Sequence, residues 1–191
     1  MHAIQYFLNS SFSVLVVSLL VSTGVFLVRT GRKHDGQKPV NWIWGLCLTG
    51  FILSVTNILW NTVSLAPFFD GFQLYANINL VPVVSIIKMI KTIFTSDPSF
   101  FSIINLFGNI GFFIPIGFFL PFISKRFSSF WLATFFGFSF SLLIEVWQLF
   151  LPARGTDIDD IILNTLGMII GYCLFLLVSK IFPKLPQAIR E

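Results

Sequence analysis

The stretch EVWQLFLPARGTDIDDIILNTLGMIIG, residues 145–171, decides how the chain folds. It joins the tail of one long apolar run to the body of the next through a short charged break. Glu145, Arg154, Asp157, Asp159 and Asp160 all fall within it. Positions 157, 160, 164, 167 and 171 step by three and four. On a helix that spacing sets Asp157, Asp160, Asn164, Gly167 and Gly171 along one stripe. The preceding run carries a second small or polar stripe, Gly137, Ser141, Glu145 and Gln148. Two apolar helices that turn back on each other here bring both stripes to the same end of a bundle.

Composition names the solvent. The 191 residues are 55% hydrophobic and 10% charged, with a mean hydropathy of +0.87. Soluble domains carry about 25% charge, so the chain reads as an integral membrane protein of one domain, residues 1–191. Its 25 Phe residues suit lipid-facing helices. The net charge of +4 comes from basic residues beside apolar runs. That is the pattern of contact with membrane lipids, not nucleic acid. Cys47 and Cys173 lie inside apolar runs and read as inert membrane thiols.

Outward from the opening stretch, five runs are long enough to span a bilayer at about 20 residues each. They cover about residues 12–28, 40–65, 100–123, 130–151 and 160–182. No Lys or Arg precedes the first, while Arg29, Arg32 and Lys33 follow it. This reverses the order in a signal peptide and predicts a retained anchor. Trp42, Trp44 and Trp60 read as interface markers of the second. Pro115 predicts a kink in the third, and Gly108 and Gly111 beside Asn105 and Asn109 read as points of close helix approach. Between the second and third spans, Ile86, Ile90, Ile93 and Phe94 share one helical face, and Lys88, Lys91 and Thr95 another. This predicts a short interfacial helix, against the plainer reading of an extramembrane connector. The fold class is all-α: a membrane bundle of about five spans with an interfacial helix.

Charge sets the orientation. With the N-terminus outside, the cytoplasmic side holds Arg29, Arg32, Lys33, Lys38, Lys125, Arg126, Lys180, Lys184 and Arg190. The outside holds only Lys88, Lys91 and Arg154. The positive-inside rule favours this arrangement, with the C-terminus in the cytoplasm and the polar seam outside.

Glu145 lies about two turns inside its helix, where a carboxylate costs about 2.5–3.5 kcal/mol to insert. It predicts an inward side chain with a partner. Arg154 is the nearest cation in sequence, and the pair reads either as part of a ligand site or as a structural bridge. One of the Asp residues that open the fifth helix, Asp157 or Asp159, is expected to cap it. Asp160 shares a face with Asn164 and so points to more than capping. Asn105 and Asn109 read either as interhelical hydrogen-bond glue or as ligand contacts. The Asp residues and Glu145 offer oxygen ligands, yet DIDD lacks the glycine turn and loop length of a calcium loop. No metal and no cofactor are assigned. With no Ser, His or Cys constellation, catalysis would fall to Glu145 or Asp160 as acid or base.

The pattern NLFGNIGFFIPIGF at 105–118, E-x-x-Q at 145–148 and R-x-x-D-x-D-D-x-x-x-N-x-x-G at 154–167 resembles the VanZ-like membrane proteins of bacteria. NLVP at 79–82 adds to the resemblance, which covers about residues 75–178. It implies a multi-pass protein of the bacterial cell membrane, implicated in resistance to teicoplanin or lipoglycopeptide antibiotics. It also implies a polar functional set of Asn105, Asn109, Glu145, Gln148, Arg154, Asp157, Asp160 and Asn164. These would bind a polar or anionic ligand in an outward-facing pocket, with lipid-linked cell-wall precursors or glycopeptide drugs as candidates. The alternative is an intramembrane hydrolase or transferase acting on a lipid-linked envelope substrate.

Overall fold

The computed structural model describes residues 16–28, 42–63, 71, 73–75, 78–94, 100–151 and 155–186. Its helices are α1 (Val16–Val28), α2 (Trp42–Thr62), α3 (Val84–Ile93), α4 (Phe100–Ile123), α5 (Phe130–Gln148) and α6 (Ile158–Ile181). The fold is all-α, as the composition implied. Four helices are long and apolar enough to cross a membrane: α2, residues 102–123 of α4, α5 and α6. α1 is apolar but shorter, and residues 12–15 of the expected first span lie outside the described residues. Large apolar side chains such as Leu20, Trp131, Phe135 and Leu143 stand exposed on the outer surface, as lipid-facing residues must.

α4 is the central element and packs against α2, α3, α5 and α6. It continues through Pro115 and Pro121 as one helix. Around it lies a core that includes Phe113, Ile116, Phe122, Ile144, Met168 and Phe175. Phe122 meets Phe175 edge-on, with centroids 4.9 Å apart. The closest crossing is between α4 and α6. A Cβ at Gly167 would overlap the Ile110 carbonyl, and one at Gly171 the Ile114 carbonyl. Only glycine lets the two backbones meet this closely. Gly108 and Gly111, expected to serve this purpose, do not: a Cβ at either would meet no other helix.

Trp44 also departs from expectation. It is 3% exposed, and its indole N–H donates to the Ile123 carbonyl at 3.3 Å. It ties the start of α2 to the end of α4 instead of marking a lipid interface. Trp42 and Trp60 are exposed. At the same end of the bundle the Tyr172 hydroxyl donates to the Ser128 carbonyl, beside the turn holding Lys125 and Arg126.

At the opposite end, α5 stops at Gln148, three residues short of the expected boundary. Phe150 and Leu151 bond back by three residues and tighten the last turn. α6 begins at Ile158, earlier than expected, because Asp157 caps it by accepting the Asp159 N–H at 2.9 Å. A two-residue strand, β1 (Ile78–Asn79), pairs in parallel with β2 (Thr156–Asp157). This bridge, absent from the sequence reading, docks the segment before α3 onto the break between α5 and α6.

α3 forms at the expected place, with no fully buried residue. Its faces differ from the expected division. Ile86, Met89 and Ile93 are half-buried, while Ile87, Ile90 and Phe94 are exposed, Phe94 by 84%. Lys88 and Lys91 are also exposed. The helix therefore presents three faces: one to the bundle, one apolar and open, one basic.

Candidate functional site: a buried polar cavity and its clamp

The ends of α4, α5 and α6 are joined by hydrogen bonds between their polar side chains. Asn109 Nδ2 on α4 donates to Asp160 Oδ1 on α6 at 2.6 Å. Asn164 Nδ2 on α6 donates to Ser141 Oγ on α5 at 2.9 Å. Glu145 Oε2 accepts the Asp157 N–H at 3.0 Å, and the Glu145 carbonyl accepts from Thr156 Oγ1 at 3.0 Å. Glu145 is 2% exposed, and Gln148, Ser141 and Asn164 are buried with it. The helical spacing put these groups on inward faces, and burial makes each bond cost more to break than it would in water.

Between them lies a cavity of about 30 Å³. Asn109, Glu145, Gln148, Asp160 and Asn164 line it, with Ile58 and Thr62 from α2, Phe112 and Phe113 from α4, and Ile144 from α5. At roughly 10–15 Å³ per water, it has room for about two waters or one small functional group. Among the described residues, the polar lining consists of two carboxylates, three amides and one hydroxyl.

Asn105 and Asp157, also nominated, lie elsewhere. Asn105 is half-buried one turn before Asn109 and does not line the cavity. Arg154 lies outside the described residues, as do Arg29, Arg32, Lys33, Lys38 and Arg190 of the charge pattern. Asp157 belongs to a second network. It caps α6, accepts Asn79 Nδ2 at 3.1 Å through the same oxygen, and accepts the Ser85 hydroxyl through the other.

That second network turns on Asp159, which is fully buried. Its carboxylate reaches across to the start of α3. Oδ1 accepts the Val83 N–H, and Oδ2 accepts the Ser85 and Ile86 N–H groups at 2.7 and 3.1 Å. A residue of α6 thus caps α3, where three free N–H groups and the helix dipole favour negative charge. Val83 takes φ 70°, a left-handed conformation that a β-branched residue rarely adopts. The bond from its N–H to Asp159 holds it there. Asn79 completes the clamp: its Oδ1 accepts the Val81 N–H at 3.2 Å and its Nδ2 donates to Ser85 Oγ at 3.0 Å. Sequence reasoning missed Asn79, Ser85 and Asp159 as one cluster. The available signal was NLVP followed by VVS, an Asn turn running into a helix start.

The family profile described as VanZ/LLP1 matches residues 42–179, from the start of α2 almost to the end of α6. The chain belongs to the VanZ/LLP1 family. The match opens at residue 42, ahead of the 75–178 region that carried the motif resemblance, so it takes in α2 and both of its cavity residues. Searches of curated proteins and of solved structures found no match. Every member of the cavity and the clamp lies inside the region matched to VanZ/LLP1.

Proposed function

We propose that this VanZ/LLP1 protein sits in the bacterial cell membrane with its N-terminus and polar seam outside. There it binds a polar group of an envelope ligand and contributes to resistance against teicoplanin-type glycopeptide or lipoglycopeptide antibiotics. The observation that carries the reading is the convergence of Asn109, Glu145, Gln148, Asp160 and Asn164 on one buried cavity. Intramembrane ionisable groups are costly and by default point to function. The cavity's size suits one functional group, such as the amide, hydroxyl or ammonium of a larger ligand lying at the membrane surface.

A second reading is favoured by one feature: two carboxylates, Glu145 and Asp160, line a space that fits water. That is the minimum equipment for acid–base hydrolysis of a lipid-linked envelope substrate. Glu145→Gln separates the readings, because it keeps shape and removes basicity. Under the binding reading, cells carrying Glu145→Gln keep most of their resistance in a drug-susceptibility assay, while Asn164→Leu loses it at unchanged protein level. Complete loss with Glu145→Gln, at normal level, rejects binding alone and favours the enzyme.

A further inference from the structure

The polar cavity has a large apolar neighbour. A groove of about 810 Å³ opens on the lipid-facing side between α5 and α6. It runs from Leu149 back to Phe138 on α5 and from Ile158 to Ile169 on α6. At 1.5 Å per helical residue its length is about 16 Å, close to half of the roughly 30 Å hydrocarbon core. Its surface is almost wholly hydrocarbon. Glu145 and Thr156 lie toward the seam end, where Ile78 and Leu80 of the β1 segment also line it. Glu145 lines both this groove and the 30 Å³ cavity, so one residue separates the two spaces.

We propose that the α5–α6 groove binds one fatty-acyl chain of a membrane amphiphile, whose polar end lies beside Glu145. Three observations select this occupant. A transmembrane helix from a second copy would need a surface matching the roughly 30 Å core, whereas the groove is only about 16 Å long. An isoprenoid carrier longer than one leaflet would overrun it, whereas an extended acyl chain spans about one leaflet, roughly 15 Å. Glu145 and Thr156 stand toward the seam end and Phe138 and Ile169 close the other, which matches the polarity of an amphiphile in a leaflet. The inference deepens the reading above, because it rests on the polar cavity as the place where the ligand's head is read.

The test uses the full chain in bilayer nanodiscs with a phosphatidylethanolamine carrying a photoreactive diazirine on its acyl chain. Labelled peptides are mapped by mass spectrometry. The label is expected to concentrate on residues 138–149 and 158–169. Thr165→Phe, which puts a ring into the groove lining, should abolish that concentration. Leu143→Phe, on α5 but outside the lining, should preserve it. Labelling of α2 in each variant reports that the protein is inserted and folded. Should Thr165→Phe perturb folding, Leu166→Trp replaces it. Even labelling over all lipid-facing helices, or full groove labelling in the blocked variants, overturns the proposal. Cross-linking of the groove to a second copy overturns it too. The outcome is independent of the resistance assay. Lost labelling specificity with Asn164→Leu still inactive would reject the groove and leave the polar site standing, and the reverse pattern would reject only the polar site.

Discussion

Asp159 shows how much one side chain can organise. It satisfies three N–H groups that would otherwise face a half-buried helix start without partners. A buried donor left unsatisfied costs about 1–3 kcal/mol, so Asp159→Ala should destabilise the detergent-solubilised protein by at least about 2 kcal/mol. Hydrogen exchange at Val83, Ser85 and Ile86 should accelerate in that variant, while exchange at the α4–α6 crossing stays slow. Asp159→Asn keeps one acceptor oxygen but turns two N–H donors of its own toward backbone donors, so it should recover only part of the loss. If the three amides exchange as slowly in Asp159→Ala as in the parent, the cap is not what holds α3. This role was hidden in the sequence. The DIDD run announced capping, and Asp157 does cap its own helix. Nothing local says that the next carboxylate, Asp159, caps a different helix more than 70 positions earlier. That pairing depends on the β1–β2 bridge, two residues on each side and far too short to show a strand period.

At the scale of the element, the long spans were legible because lipid demands about 20 apolar residues per crossing. The inward stripes of α5 and α6 were legible because 3.6-residue periodicity survives in any solvent. Glycine roles were legible only in part. Gly108 and Gly167 look alike in sequence, yet only Gly167 meets another backbone, because the face each presents depends on where α4 and α6 cross. The difference is measurable. Gly171→Ala forces a Cβ into the Ile114 carbonyl and should cost about 1–3 kcal/mol as overpacking. It should lower the melting temperature and the monodisperse fraction on size-exclusion chromatography. Gly111→Ala has open space around it and should be neutral, or stabilising by up to about 0.8–1.0 kcal/mol through helix propensity. Equal losses for both variants would mean that the α4–α6 crossing is not the tight one.

At the scale of the whole molecule, the described carboxylates and most of the described cations stand at opposite ends of the bundle, with Lys88 and Lys91 of α3 on the carboxylate side. All four described carboxylates, Glu145, Asp157, Asp159 and Asp160, lie at the seam end. Lys125, Arg126, Lys180 and Lys184 mark the other end, where α4 meets α5 and α6 finishes. Basic flanks are retained on the cytoplasmic side, and acidic residues have little effect on orientation. Under the proposed outward orientation, the carboxylates and the open face of α3 stand at the membrane surface from which an envelope ligand would arrive. The arrangement predicts labelling from one side only. In a background with Cys47 and Cys173 replaced, Gln73→Cys, exposed near the seam, should react with a membrane-impermeant maleimide in intact cells. Ser129→Cys, exposed beside the basic turn, should react only after the membrane is permeabilised. The opposite pattern would put the polar cavity on the cytoplasmic face. An outward-facing antibiotic or cell-wall ligand would then have no route to Glu145, whatever the cavity's chemistry.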